Sequence, residues 1–88
     1  MNELTAKAIL TSVSAFGAAI TMFSGMANAM AEGWIAAKAV EGIARQPEAA
    51  GDLTRTMLVG QAVSETTGIY AFVIALALIF ANPLIGML

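Results

Sequence analysis

Residues 45–52 read Arg-Gln-Pro-Glu-Ala-Ala-Gly-Asp, RQPEAAGD, and they divide the chain into two long apolar halves. Pro47 lacks an N–H and disfavours helix at Gln46 before it. Gly51 adds a second break. The stretch predicts a connection over 46–51, with one helix over about 4–45 and another over about 52–82. Asp52 is the expected N-cap of the second helix, and Arg55 falls near its first turn. Asn82-Pro83 is expected to end or kink that helix, leaving 84–88 as an apolar tail.

Outward from this connection the charges thin quickly. Six of the ten charged side chains lie between Lys38 and Arg55, residues 8–31 carry none, and only Glu65 is charged from Thr56 onward. A membrane span takes about 20 mainly apolar residues, and both halves exceed that. Uncharged runs this long do not suit barrel strands of about 10 residues with alternating polarity. In hydrocarbon the remaining solution is helix. The expected fold is therefore all-α, a two-span transmembrane helical hairpin. A first helix of about 40 residues measures about 60 Å, twice the hydrocarbon thickness, so its charged end projects into water. Three of the four basic residues flank the connection, which the positive-inside rule places in the cytoplasm, with both termini outside.

Composition agrees. Only 11% of the 88 residues are charged, against about 25% in soluble domains. Absence of Cys and His removes disulfides, thiol nucleophiles and imidazole bases. Four Lys and Arg with a net charge of −2 argue against nucleic-acid binding. Lys7, the apolar run and Ala27-Asn28-Ala29 fit a signal peptide loosely, but the run is too long and a second span follows, so a retained span is expected.

Residues 25–33, GMANAMAEG, alternate small side chains: Gly25, Ala27, Ala29, Ala31 and Gly33. At about 100° per residue Gly25, Ala29 and Gly33 share one face, with Ala27 and Ala31 nearly opposite. Small residues let membrane helices approach closely. A helix thinned on two sides fits between two copies of itself, and a head-to-tail contact of that kind closes a ring. The second helix carries Gly60, Ser64 and Gly68 at four-residue spacing and is otherwise bulky. An inner ring of thin helices and an outer, lipid-facing ring follows as the expected homo-oligomer.

Glu65 interrupts the second apolar half, where a charge costs about 2.5–3.5 kcal/mol, so an ion path is its expected use. Glu32 lies 15 residues before Pro47 and Glu65 lies 18 after it, depths that nearly match in an antiparallel hairpin. Val63, Thr66, Thr67 and Tyr70 add a carbonyl, two hydroxyls and a phenol, oxygen donors of the kind that hard cations take. On a helical wheel Gln61, Glu65 and Gly68 share one face, while Val63, Thr67 and Tyr70 lie nearly opposite, with Thr66 between. One helix cannot fold these around one ion. Two adjacent copies can, with Glu65 of one facing Val63, Thr66 and Tyr70 of the next. Glu65, Glu32, Val63 and Thr66 are the expected ligands. Two carboxylates and one monovalent cation leave a charge of −1, so one proton shared by Glu32 and Glu65 makes the loaded site neutral. A two-proton state competes and gains as pH falls.

ARQPE in the connection, SETTGIY around Glu65, ANP near the end and the small-residue repeat together resemble the c-subunit of F-type ATP synthases, the rotor-ring proteolipid, over nearly the whole chain. Several glycines of that family are alanines here, and Asn28 holds a position often occupied by proline, which bears on the copy number of the ring. The likeness is closest to the sodium-coupled branch, through Glu32, Val63, Glu65, Thr66, Thr67 and Tyr70. It implies a non-catalytic component of a bacterial inner membrane that carries Na+ on Glu65, or H+ in the proton-coupled version, with no organic cofactor. It also implies that the ion passes between half-channels of the stator a-subunit, and that Arg45, Gln46 and Pro47 contact the central stalk. No GxxxxGK[ST] loop is present, so ATP chemistry belongs to other subunits. A holin-like self-assembling pore shares the size and hydrophobicity but needs neither ARQPE nor a buried carboxylate.

Overall fold

In the computed structural model, which describes residues 2–87, helix α1 runs Glu3–Arg45, a single 3-10 turn Pro47–Ala49 reverses the chain, and helix α2 runs Ala50–Phe80. A short 3-10 turn, Ile85–Met87, follows. The described residues contain no strand. The antiparallel hairpin measures 68 × 15 × 11 Å. Leu88, at the end of the expected apolar tail, lies outside the described residues.

Local chemistry sets the ends. Asn2 caps α1 by accepting from the Thr5 N–H at 2.7 Å, with Glu3 in the first turn and Arg45 in the last, both favourable to the helix dipole. The start of α2 differs from expectation. Its N-cap position is Ala49, which offers no side-chain bond, and Asp52 sits inside the first turn. Pro47 supplies the reason: its fixed φ opens a 3-10 turn that passes directly into α2, so no separate cap forms. The helix also stops earlier than expected, at Phe80. Ala81 still donates to the Ala77 carbonyl, and Pro83 removes the donor that a further turn needs. Asn82 Oδ1 accepts instead from the Leu84 N–H at 2.9 Å.

The two helices meet along a narrow seam. Ser14, Thr21, Asn28, Ile35 and Gly42 recur every seven residues on its α1 side, flanked by Ala18 and Ala39. From α2 come Met57, Ser64, Ala71 and Leu78, again seven apart, with Gly68 and Ala75. A strict seven-residue period keeps two helices in contact along their length. The seam is thin because its residues are small: a Cβ on Gly42 would lie 3.1 Å from Leu53 Cδ1. At the end away from the connection Asn82 Nδ2 donates to buried Ser14 Oγ at 2.6 Å.

Away from the seam and the connection most of the surface is exposed and apolar. Phe16, Phe23, Trp34, Val63, Tyr70 and Phe80 are all more than 60% exposed. Helices apolar on every side belong in lipid or against other copies, not in water. Ion pairs Lys38–Glu41 (3.5 Å), Arg45–Glu41 (3.2 Å) and Arg55–Asp52 (3.4 Å) cluster at the connection. All are exposed pairs within one helix, worth little to stability, and they mark the end that meets water.

Candidate ion-binding site

Midway along the hairpin a groove of about 340 Å³ opens beside the seam, lined by Asn28, Ala29 and Glu32 of α1 and by Glu65, Gly68 and Phe72 of α2. Antiparallel packing brings Glu32 and Glu65 to the same level, where both line this one groove. Glu32 is half-buried and Glu65 is open to the outside of the hairpin. Gln61, on the Glu65 face of α2, donates to the Glu32 backbone carbonyl at 3.1 Å and ties the helices together there.

Asn28 is buried next to this pair. Its Nδ2 donates to Glu65 Oε2 at 3.1 Å, and its Oδ1 accepts from Ser64 Oγ at 2.5 Å. Both ends of the amide are thereby used. Gly68 makes the space: a Cβ there would stand 2.6 Å from Asn28 Nδ2, closer than real contacts allow.

Val63 and Tyr70 point away from the seam, 69% and 66% exposed. Thr66 and Thr67 are also exposed, and Thr66 Oγ1 donates to the Ala62 carbonyl at 3.2 Å, so its lone pairs stay free to accept or ligate. The hairpin thus brings together Glu32 and Glu65 alone of the six expected ion-site residues. Of the small-residue stripe, Gly25 and Ala29 line the groove. Ala27, Ala31 and Gly33 are exposed, and a Cβ on Gly33 would meet nothing within 4 Å.

Comparison with known proteins decides the family. Residues 16–78 match the family of ATP synthase c-subunits. The chain belongs to the ATP synthase c-subunit family. It is 52% identical over 88 residues, the full length of both chains, to the ATP synthase c-subunit of Alkaliphilus oremlandii. It is 54% identical over 82 residues to that of Natranaerobius thermophilus, covering 93% of this chain and 95% of that one. It is 46% identical over 86 residues to the chloroplastic ATP synthase c-subunit of Oedogonium cardiacum, covering 98% and 99%. As a member of this family, it is a rotor-ring component: an all-α membrane hairpin that assembles into a ring, transports ions and is not itself a catalyst.

Sequence reasoning set Gln61 on the Glu65 face but missed its bond to the Glu32 carbonyl, and it missed Asn28 and Ser64 as polar neighbours of Glu65. A usable signal existed for Asn28 and Ser64. Asn28 lies 19 residues before Pro47 and Ser64 lies 17 after it, so both fall at one depth. An amide and a hydroxyl at matching depth in apolar helices are natural partners.

Proposed function

We propose that this rotor-ring protein carries sodium ions on Glu65, with Glu32 as a second ligand that shares one proton with it. The placement of Glu32 and Glu65 in one groove between the two helices carries this reading. Two carboxylates and one Na+ leave an unpaired charge in a medium that penalises it, and one shared proton makes the loaded site neutral. A neutral site can travel past lipid.

Completion of the shell falls to the adjacent copy. Val63, Thr66 and Tyr70 face outward, where a neighbour's Glu65 would meet them, with Thr67 beside them. Oxygen donors from two copies give a hard cation what one hairpin lacks. The ion then boards from one half-channel of the stator a-subunit, rides with the ring, and is displaced by a stator arginine into the other half-channel. Exposed Arg45, Gln46 and Pro47 meet the central stalk on the cytoplasmic side, with both termini outside a bacterial inner membrane.

Carbodiimide labelling of the isolated oligomer tests this. Added sodium at constant pH should slow modification of Glu65. Labelling indifferent to sodium means a proton-coupled rotor. Labelling with no preference for Glu65 overturns the ion-site reading altogether.

A further inference from the structure

Resting on that reading of Glu65, we infer that Asn28 is a positioning residue that holds the Glu65 carboxylate in its ion-accepting orientation. The argument begins with burial. Asn28 is among the few buried polar side chains of the described residues, and each end of its amide has a partner. Ser64 Oγ donates to Oδ1, so Nδ2 is turned toward Glu65. The reverse orientation would set Oδ1 against a carboxylate oxygen, two acceptors with no proton between them.

The cradle is built from three sides. Ser64, one residue before Glu65 on α2, fixes the amide through its side-chain Oγ. Gly68, one turn later, leaves out the Cβ that would push Nδ2 away. Asn28 comes from the facing helix and so ties Glu65 across the seam. A glutamate side chain at an exposed helix position otherwise has three free torsions, whose entropy must be lost each time an ion binds. The tie on Oε2 removes part of that freedom beforehand. Each carboxylate oxygen keeps a further lone pair, so Asn28 and a cation can share Glu65 without excluding each other. Exchange at a stator then requires the side chain to leave this tether.

The test uses the whole oligomer. Asn28→Ala should raise the sodium concentration that half-protects Glu65 from carbodiimide at least about tenfold, the loss expected for a hydrogen bond to a charged group. Gly68→Ala, which leaves Asn28 present but displaced, should do the same. The double variant should be no worse than Asn28→Ala, because both act through one contact. A merely structural amide would not touch the carboxyl itself. The infrared carboxyl bands read this directly, in a Glu32→Gln background where Glu65 is the only acidic group at this depth. They should shift when Asn28 is removed, with or without sodium. Should native protein be protected by sodium while Asn28→Ala is protected equally, the positioning role is overturned and sodium carriage stands. Should native protein show no protection, sodium carriage is overturned, and an unmoved infrared band then overturns the positioning role as well.

Discussion

At the scale of single residues, Glu32 and Tyr70 make separable predictions. Glu32→Gln keeps an oxygen ligand but cannot hold the shared proton. The variant should still bind sodium, since Glu65 alone balances one cation. In both forms sodium protection weakens toward acid pH, where a proton takes the place of the cation. The native site should show a second change on the alkaline side, as the shared proton leaves, and Glu32→Gln should lack it. Superimposable labelling profiles across pH would remove the dyad. Tyr70→Phe loses one phenolic donor on the outward face and should raise the half-protecting sodium concentration by about tenfold, from the usual worth of a hydrogen bond to a charged group. Circular dichroism should show unchanged helix content, because Tyr70 is largely exposed on its own hairpin. Unchanged affinity would make Tyr70 simple packing.

At the scale of the helices, the seam is thin and therefore intolerant of bulk. Gly42→Leu places a side chain where even a Cβ comes 3.1 Å from Leu53, and overpacking of this sort costs about 1–3 kcal/mol. Thermal unfolding in detergent should fall accordingly. Ser14→Ala takes the acceptor from the Asn82 amide at the end away from the connection. Hydrogen exchange at Ala81 and Leu84 should then rise, with the middle of α2 unaffected; uniform protection throughout would show that this bond holds nothing. Much of this level was legible beforehand. Pro47 and the charge spacing place the turn, and equal depth brings Glu32 to Glu65. The end of α2 and its start were misjudged by about two residues for one reason. Proline acts through its ring and missing donor over several neighbours, and a 3-10 turn absorbs the change without a polar cap. Asn28 was read only as standing where the family often has proline; its depth matches that of Ser64, but the side of α1 that meets α2 follows from a seven-residue seam and not from a four-residue face.

At the scale of the whole molecule, the hairpin is a part and not a finished object. Its surface is apolar almost everywhere, and its site shows two carboxyls on one edge with four oxygen donors turned elsewhere. Gly33→Leu tests the outward stripe cleanly, because nothing in the hairpin lies near it. Helix content should be preserved while the detergent-solubilised oligomer dissociates or changes its mass, as read by native mass spectrometry. An oligomer of native mass would place the contact between copies on another face. Copy number was not legible from one chain, because it depends on a small angle between neighbours that no single hairpin encodes.

The bond between Ser14 and Asn82 bears on how reliably such a machine is assembled. The chain already fastens its helices at Pro47–Ala49, and this second fastening lies at the far end of the long axis. A slip of one helix along the other by a single turn would displace the acids by about 5.4 Å and separate them. Closed at one end by covalent chain and at the other by an amide on a hydroxyl, the pair behaves like a ladder with both end rungs nailed. Every copy therefore presents its two acids at one height, and successive positions around the ring are alike.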